Sequence, residues 1–208
     1  MGRRTRRQRP LKFLPEEGTR YPRWDGSPPV GVMGERAVLV QRQAGGGWTV
    51  YCSRWGGTDR ALSAVCAGVT PSELPVTWAR ERSVDTFTRA VATLDYLGTE
   101  LLYRETGRHG AFLALWFGLP VSGGERCDTA GAAVEIDSLQ DARKLRGAFR
   151  EFKGWLADAL ESGDLSAAAA TLALLGGVRQ LRGRELYVVW RGSGASDILY
   201  REGQPPDL

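Results

Sequence analysis

Arg36-Ala-Val-Leu-Val-Gln-Arg-Gln-Ala-Gly-Gly-Gly-Trp-Thr-Val-Tyr-Cys-Ser-Arg-Trp55 decides the fold class. Two runs rich in β-branched and aromatic residues flank the short glycine loop Gly45–Gly47, which is the pattern of a β-hairpin. Along the second run Trp48, Val50 and Cys52 point to one face and Thr49, Tyr51 and Ser53 to the other, because side chains alternate along a strand. Gly56-Gly57 ends it.

Two further hairpins follow. Glu100-Leu-Leu-Tyr-Arg-Glu105 and Ala111-Phe-Leu-Ala-Leu-Trp-Phe117 flank a Gly107-Arg-His-Gly110 turn. The second of these strands is almost wholly apolar, as a strand buried on both faces is. Glu185–Trp190 and Ile198–Arg201 flank a glycine turn near the C-terminal end, and Ala132–Ile136 reads as a lone strand. Between them lie helical patterns. Asp59–Ala67 is short. Ser83 is placed to cap a helix ending near Leu97 and Gly98, with Phe87, Ala90, Val91 and Leu94 on one face. Ser138, with Asp141 three residues on, opens the longest helix. Its stripe is Leu139, Ala142, Leu145, Phe149, Phe152, Leu156 and Ala159, and Gly163 stops it. An Ala-rich helix follows from about 165 to 181. Hairpins interrupted by helices predict an α+β fold, a mostly antiparallel sheet with its helices on one face, and not a doubly wound βαβ fold.

Charge divides the chain. Residues 1–32 hold eight bases (Arg3, Arg4, Arg6, Arg7, Arg9, Lys12, Arg20 and Arg23) and three acids, a net of +5. The other 176 residues hold 20 bases and 21 acids, a net of −1. The high isoelectric point therefore belongs to the first segment, whose five prolines and scattered glycines leave no helical or strand period. Such a composition is expected to be a disordered extension, with 33–208 as one α+β domain.

Candidate functional residues are few. Cys52 or Ser53 at a strand end could act as a nucleophile, with Arg54 beside it and glycine N–H groups facing an oxyanion; the base would have to be His109, the only histidine. Packing of Cys52 as a small core residue is the simpler expectation. Three cysteines without a CxxC pair argue against a disulfide framework and a zinc site, so no metal and no cofactor is expected. The glycine strings lack the Lys, Ser/Thr and helix of a phosphate loop. The residues best placed to bind nucleic acid are Arg3, Arg4, Arg6, Arg7, Arg9 and Lys12. A weaker set is Arg143, Arg146, Arg150 and Lys153, which share one face of the long helix and could track phosphates. Tryptophans at 48, 55, 116 and 190 suggest a third use, an aromatic sheet face that binds a protein partner or stacks bases. No run of about 18 apolar residues is present, so no membrane span is expected, and the basic start lacks the apolar core of a signal peptide. A cytoplasmic protein is expected.

From Met33 the chain resembles a haloarchaeal family of uncharacterised proteins. The residues that carry the likeness are Met33-Gly34-Glu-Arg-Ala-Val-Leu-Val, Gly47-Trp-Thr-Val-Tyr-Cys-Ser-Arg-Trp-Gly56, Ala92-Thr-Leu-Asp-Tyr-Leu97 and Ala114-Leu-Trp-Phe-Gly118. It covers roughly residues 33–120. It implies an archaeal protein with no assigned activity, so no catalytic residue carries over. Met33 falls at the family's usual start, which makes residues 1–32 either an overcalled start or an added arm. On this reading the chain is an uncharacterised binding protein that contacts nucleic acid through the arm; the alternatives are a small enzyme at Cys52–Gly57 and a protein-interaction module.

Overall fold

The computed structural model describes residues 35–119, 130–181, 183–192 and 195–202. Its eight strands are β1 (Ala37–Arg42), β2 (Trp48–Ser53), β3 (Ala79–Val84), β4 (Leu101–Glu105), β5 (His109–Trp116), β6 (Ala130–Ile136), β7 (Leu186–Gly192) and β8 (Ala195–Glu202). The helices are α1 (Asp59–Cys66), α2 (Phe87–Ala92), α3 (Leu139–Glu161) and α4 (Ala167–Val178), with a 3-10 turn at Pro71–Glu73. All strands join one sheet in the order β3-β2-β1-β4-β5-β6-β7-β8. Every described pairing is antiparallel except one, where β1 runs parallel to β4 with Ala37 opposite Leu101. The fold is α+β, as the pattern of hairpins predicts.

The hairpin turns follow local chemistry. Gly46 and Gly47 have φ of 86° and 71°, where a Cβ would be strained, and Gln43 N–H closes the loop onto the Gly47 carbonyl at 3.1 Å. Ser138 caps α3 by accepting from Asp141 N–H at 3.1 Å, and Asp141 Oδ2 accepts in return from Asp137 N–H. The apolar stripe of α3 faces the sheet, with Ala142, Leu145, Phe149 and Leu156 buried.

Helices cover both faces of the sheet, not one. On the first face α1, α3 and α4 meet strand residues such as Leu39, Leu101, Tyr103, Leu113 and Val188. On the second, Phe87, Ala90, Val91 and Leu94 of α2 and its following turn meet Val38, Val50, Leu102, Phe112 and Tyr187. β4 and β5 send alternate apolar residues to each side, so each face needs a cover. The six-residue α2 reaches β3 at one edge and β7 and β8 at the other. Seven strand spacings laid flat would span about 33 Å and a helix of this length about 9 Å, so the sheet curls around α2.

One sequence expectation fails here, and one strand was not foreseen. Ser83 lies in β3; the helix starts three residues later, where Thr86 Oγ1 accepts from Arg89 N–H at 3.0 Å. β3 itself, Ala-Arg-Glu-Arg-Ser-Val, has no apolar alternation because it is a largely exposed edge strand. Its charged side chains suit an edge, which must not pair with other chains.

Candidate functional site

The loop after β2 is built around close backbone approaches. Gly57 N–H donates to the Glu35 carbonyl at 2.6 Å, and the phenol of buried Tyr103 donates to the Gly56 carbonyl at 2.9 Å. Trp78 stands edge-on to Tyr103, centroids 6.3 Å apart, and anchors its indole N–H on the Pro71 carbonyl. A Cβ on Gly56 would lie 2.8 Å from the Trp78 ring, and one on Gly57 2.5 Å from the Glu35 carbonyl oxygen. Both glycines are therefore required by packing. The Gly57 N–H is already bonded, so it does not face a site where an oxyanion could form.

The proposed nucleophiles are on opposite faces. Cys52 packs against the second cluster. Burial, reinforced by the thiol's hydrogen bond to Glu81 and that residue's charge, pushes the thiol up to about 12. A thiol that stays protonated at neutral pH is a poor nucleophile. Ser53 is buried on the first face, where its Oγ accepts from Trp55 N–H at 3.4 Å. His109 is the first residue of β5, not a turn residue, and it is exposed opposite Glu105. Ser53, Ala37, Leu101 and Leu113 share one row across the sheet, and His109 lies four residues from that row and three strands from β2. That is about 13 Å along the strands and about 14 Å across them. No relay between Cys52 or Ser53 and His109 can form. Arg54, next to Ser53 in the chain, is exposed.

The basic stripe of α3 is largely committed. Arg143 pairs with Asp59 of α1 at 2.5 Å and Arg146 with Glu100 at 3.3 Å. Lys153 Nζ donates to the Trp116 carbonyl at 3.0 Å and sits 4.2 Å from the centre of its ring. Burial pushes that amine down to about 8. Arg150 alone of the four is exposed without an ion pair among the described residues. Arg3, Arg4, Arg6, Arg7, Arg9 and Lys12 lie outside the described residues.

The aromatic face is covered too. Trp48 and Trp116 pack against the second cluster, Trp190's side chain lies outside the described residues, and Trp55 is in a loop with 59% of its surface exposed.

Two polar groupings escaped the sequence reading. On the α2 face, Arg104 Nη1 donates to Glu185 Oε1 at 2.6 Å, and the Tyr187 phenol hydrogen-bonds to the same oxygen. The guanidinium stands 5.2 Å from the ring centres of both Phe87 and Phe112. Burial alone would lower its affinity for a proton; the hydrogen bond and charge of Glu185 outweigh burial and hold it up. On the other face, buried Glu105 accepts from Gln41 Nε2 at 2.7 Å and from the Ser72 N–H and hydroxyl, both at 2.9 Å. Both carboxylates are spent on donors that tie elements together. The only sequence signal for either was a charge at an inward position of an otherwise apolar strand, at Arg104 and Glu105 of Leu-Leu-Tyr-Arg-Glu.

Among the described residues no helix is long and apolar enough to cross a membrane, and no three His, Cys, Asp or Glu side chains gather closely enough to hold a metal ion. Comparison with known protein families, curated proteins and solved structures finds no match to this chain.

Proposed function

We propose that this chain is a binding protein that grips the phosphates of nucleic acid through Arg3, Arg4, Arg6, Arg7, Arg9 and Lys12, with the α+β body as the folded unit that carries the arm. The observation behind this reading is the segregation of charge, +5 in residues 1–32 and −1 in the remainder. The body's own basic helix adds little, because Arg143, Arg146 and Lys153 have internal partners. Guanidinium groups release counterions from a phosphate backbone without reading sequence, so binding is nonspecific and falls steeply with salt. Against the enzyme reading stand the high thiol pKa of Cys52, the opposite facing of Ser53 and the distance of His109.

The test is oligonucleotide binding by the full chain across a salt series. Replacing Arg3, Arg4, Arg6, Arg7 and Arg9 with Gln is expected to weaken binding by orders of magnitude at low salt. It should also flatten the log K against log salt slope by about 0.7–0.9 per lost phosphate contact. Replacing Arg143, Arg146 and Arg150 with Gln is expected to change affinity by less than about threefold. The opposite pattern moves the interface to α3, and unchanged affinity in the first variant ends the proposal.

A further inference from the structure

Trp55 is exposed on a loop that cannot relax. Its N–H is held by Ser53 Oγ at 3.4 Å and its carbonyl accepts from Thr58 N–H at 3.5 Å. The next two residues are pressed against Trp78, Ala37 and the Glu35 carbonyl, where neither has room for a side chain. A clamped loop that leaves 59% of an indole in water holds a large aromatic surface in a fixed place. That lowers the ordering cost of any ligand that covers it. Exposed Arg54 precedes the indole, and Arg36 and Arg60 are exposed on the segments that flank the loop.

Glu35, the first described residue, is the hydrogen-bond partner of Gly57, two residues from Trp55, so the described chain begins beside the loop that carries the indole. Of the acids on these segments, Asp59 and Glu100 pair with Arg143 and Arg146, and Asp95 accepts from Gly98 N–H at 3.1 Å.

We infer that Trp55, preceded by exposed Arg54, is a base-stacking platform for single-stranded nucleic acid. This rests on the polyanion reading above and deepens it, because it makes the preferred ligand unpaired: duplex bases present no free face to stack on. Stacking is tolerant of sequence, since every base has a π face, and one base on one aromatic changes affinity by about five- to a hundredfold.

The experiment compares the full chain with Trp55→Ala and Trp55→Phe on four probes: oligo-dT, oligo-U, an abasic deoxy strand of equal length and a DNA duplex. Trp55→Ala is expected to weaken oligo-dT and oligo-U binding about tenfold, and Trp55→Phe by less. The abasic strand and the duplex should bind the wild type and both variants alike, and the salt slope should not move. Equal oligo-dT affinity for wild type and Trp55→Ala overturns the platform, as does an equal loss on the abasic strand. The arm reading then stands or falls separately, on whether the five-arginine variant still loses affinity for the abasic strand. Loss on Trp55→Ala with no loss in the arginine variant keeps the platform and removes the arm. A preference between oligo-dT and oligo-U assigns the strand as DNA or RNA.

Discussion

One face of the sheet carries α1, α3 and α4 over a continuous apolar cluster from Ala37 to Val188; among the described residues the other carries the six-residue helix α2, set among Trp48, Phe112, Tyr187 and the guanidinium of Arg104. The first face is closed by area, since a 23-residue helix with a stripe of buried residues covers much of it. The second is closed by shape. The sheet curls until a helix too short to persist alone touches both of its edges, and one side chain, Phe87, meets Trp48, Phe112 and Tyr187 at 5.5–5.7 Å. A small cover suffices where the surface is concave, but its stability then depends on few residues.

That contrast can be broken most directly at its two centres. Phe87→Ala is expected to cost about 4 kcal/mol and Leu156→Ala, beneath α3, about 3 kcal/mol, both read from urea unfolding. A Phe87→Ala cost well below that of Leu156→Ala would show that α2 is dispensable. Arg104→Met is the next largest, about 2 kcal/mol. It removes a charged partner of Glu185, whose side chain is only 11% exposed. A double-mutant cycle with Glu185→Gln should recover part of that loss.

Lys153 links the faces, since it rises from α3 on the first to the Trp116 ring beside the second. Its pKa is lowered from 10.5 to about 8 by burial, while the carbonyl and the indole face favour the charged form. At this amine the folded chain therefore binds fewer protons than the unfolded one between about pH 8 and pH 10.5, so its contribution to stability rises with pH across that window, while Cys52, whose thiol is pushed up by burial from 9.0 to about 12, opposes it above about pH 9. The difference between wild type and Lys153→Met is expected to grow by on the order of 2 kcal/mol across that window in chemical denaturation, and a difference that does not change with pH would mean that the amine is not desolvated. The smallest effects are at the caps. Thr86→Ala and Ser138→Ala should each cost about 1 kcal/mol. Thr86→Ala should also raise amide exchange throughout α2, whereas Ser138→Ala should loosen only the first turn of α3.

Legibility followed the strength of the local period. The long helix could be read from its stripe and Ser138, and the three hairpins from their glycine turns. β3 could not, because an exposed edge strand has no apolar face to reveal it. The extent of α2 could not either: its apolar positions run on past Ala92 in sequence, but Thr93 turns back to bond the carbonyls of Arg89 and Ala90. At the candidate site, the alternation of β2 placed Cys52 in the core and Ser53 opposite it. The partners of Arg143, Arg146, Arg104 and Glu105 lie between 33 and 84 residues away, and no local pattern carries that information.

By itself, the sequence determined the α+β class, the hairpins, the capped amphipathic helix and the split between a +5 segment and a −1 body. These depend on neighbours a few residues apart and on counting. Only the tertiary structure decided that β1 and β4 run parallel, that helices cover both faces, which arginines are already paired, and that Trp55 is held out in water while Trp48 and Trp116 pack against the second cluster. Those outcomes follow from how distant segments meet, where burial and charge pairing are settled jointly.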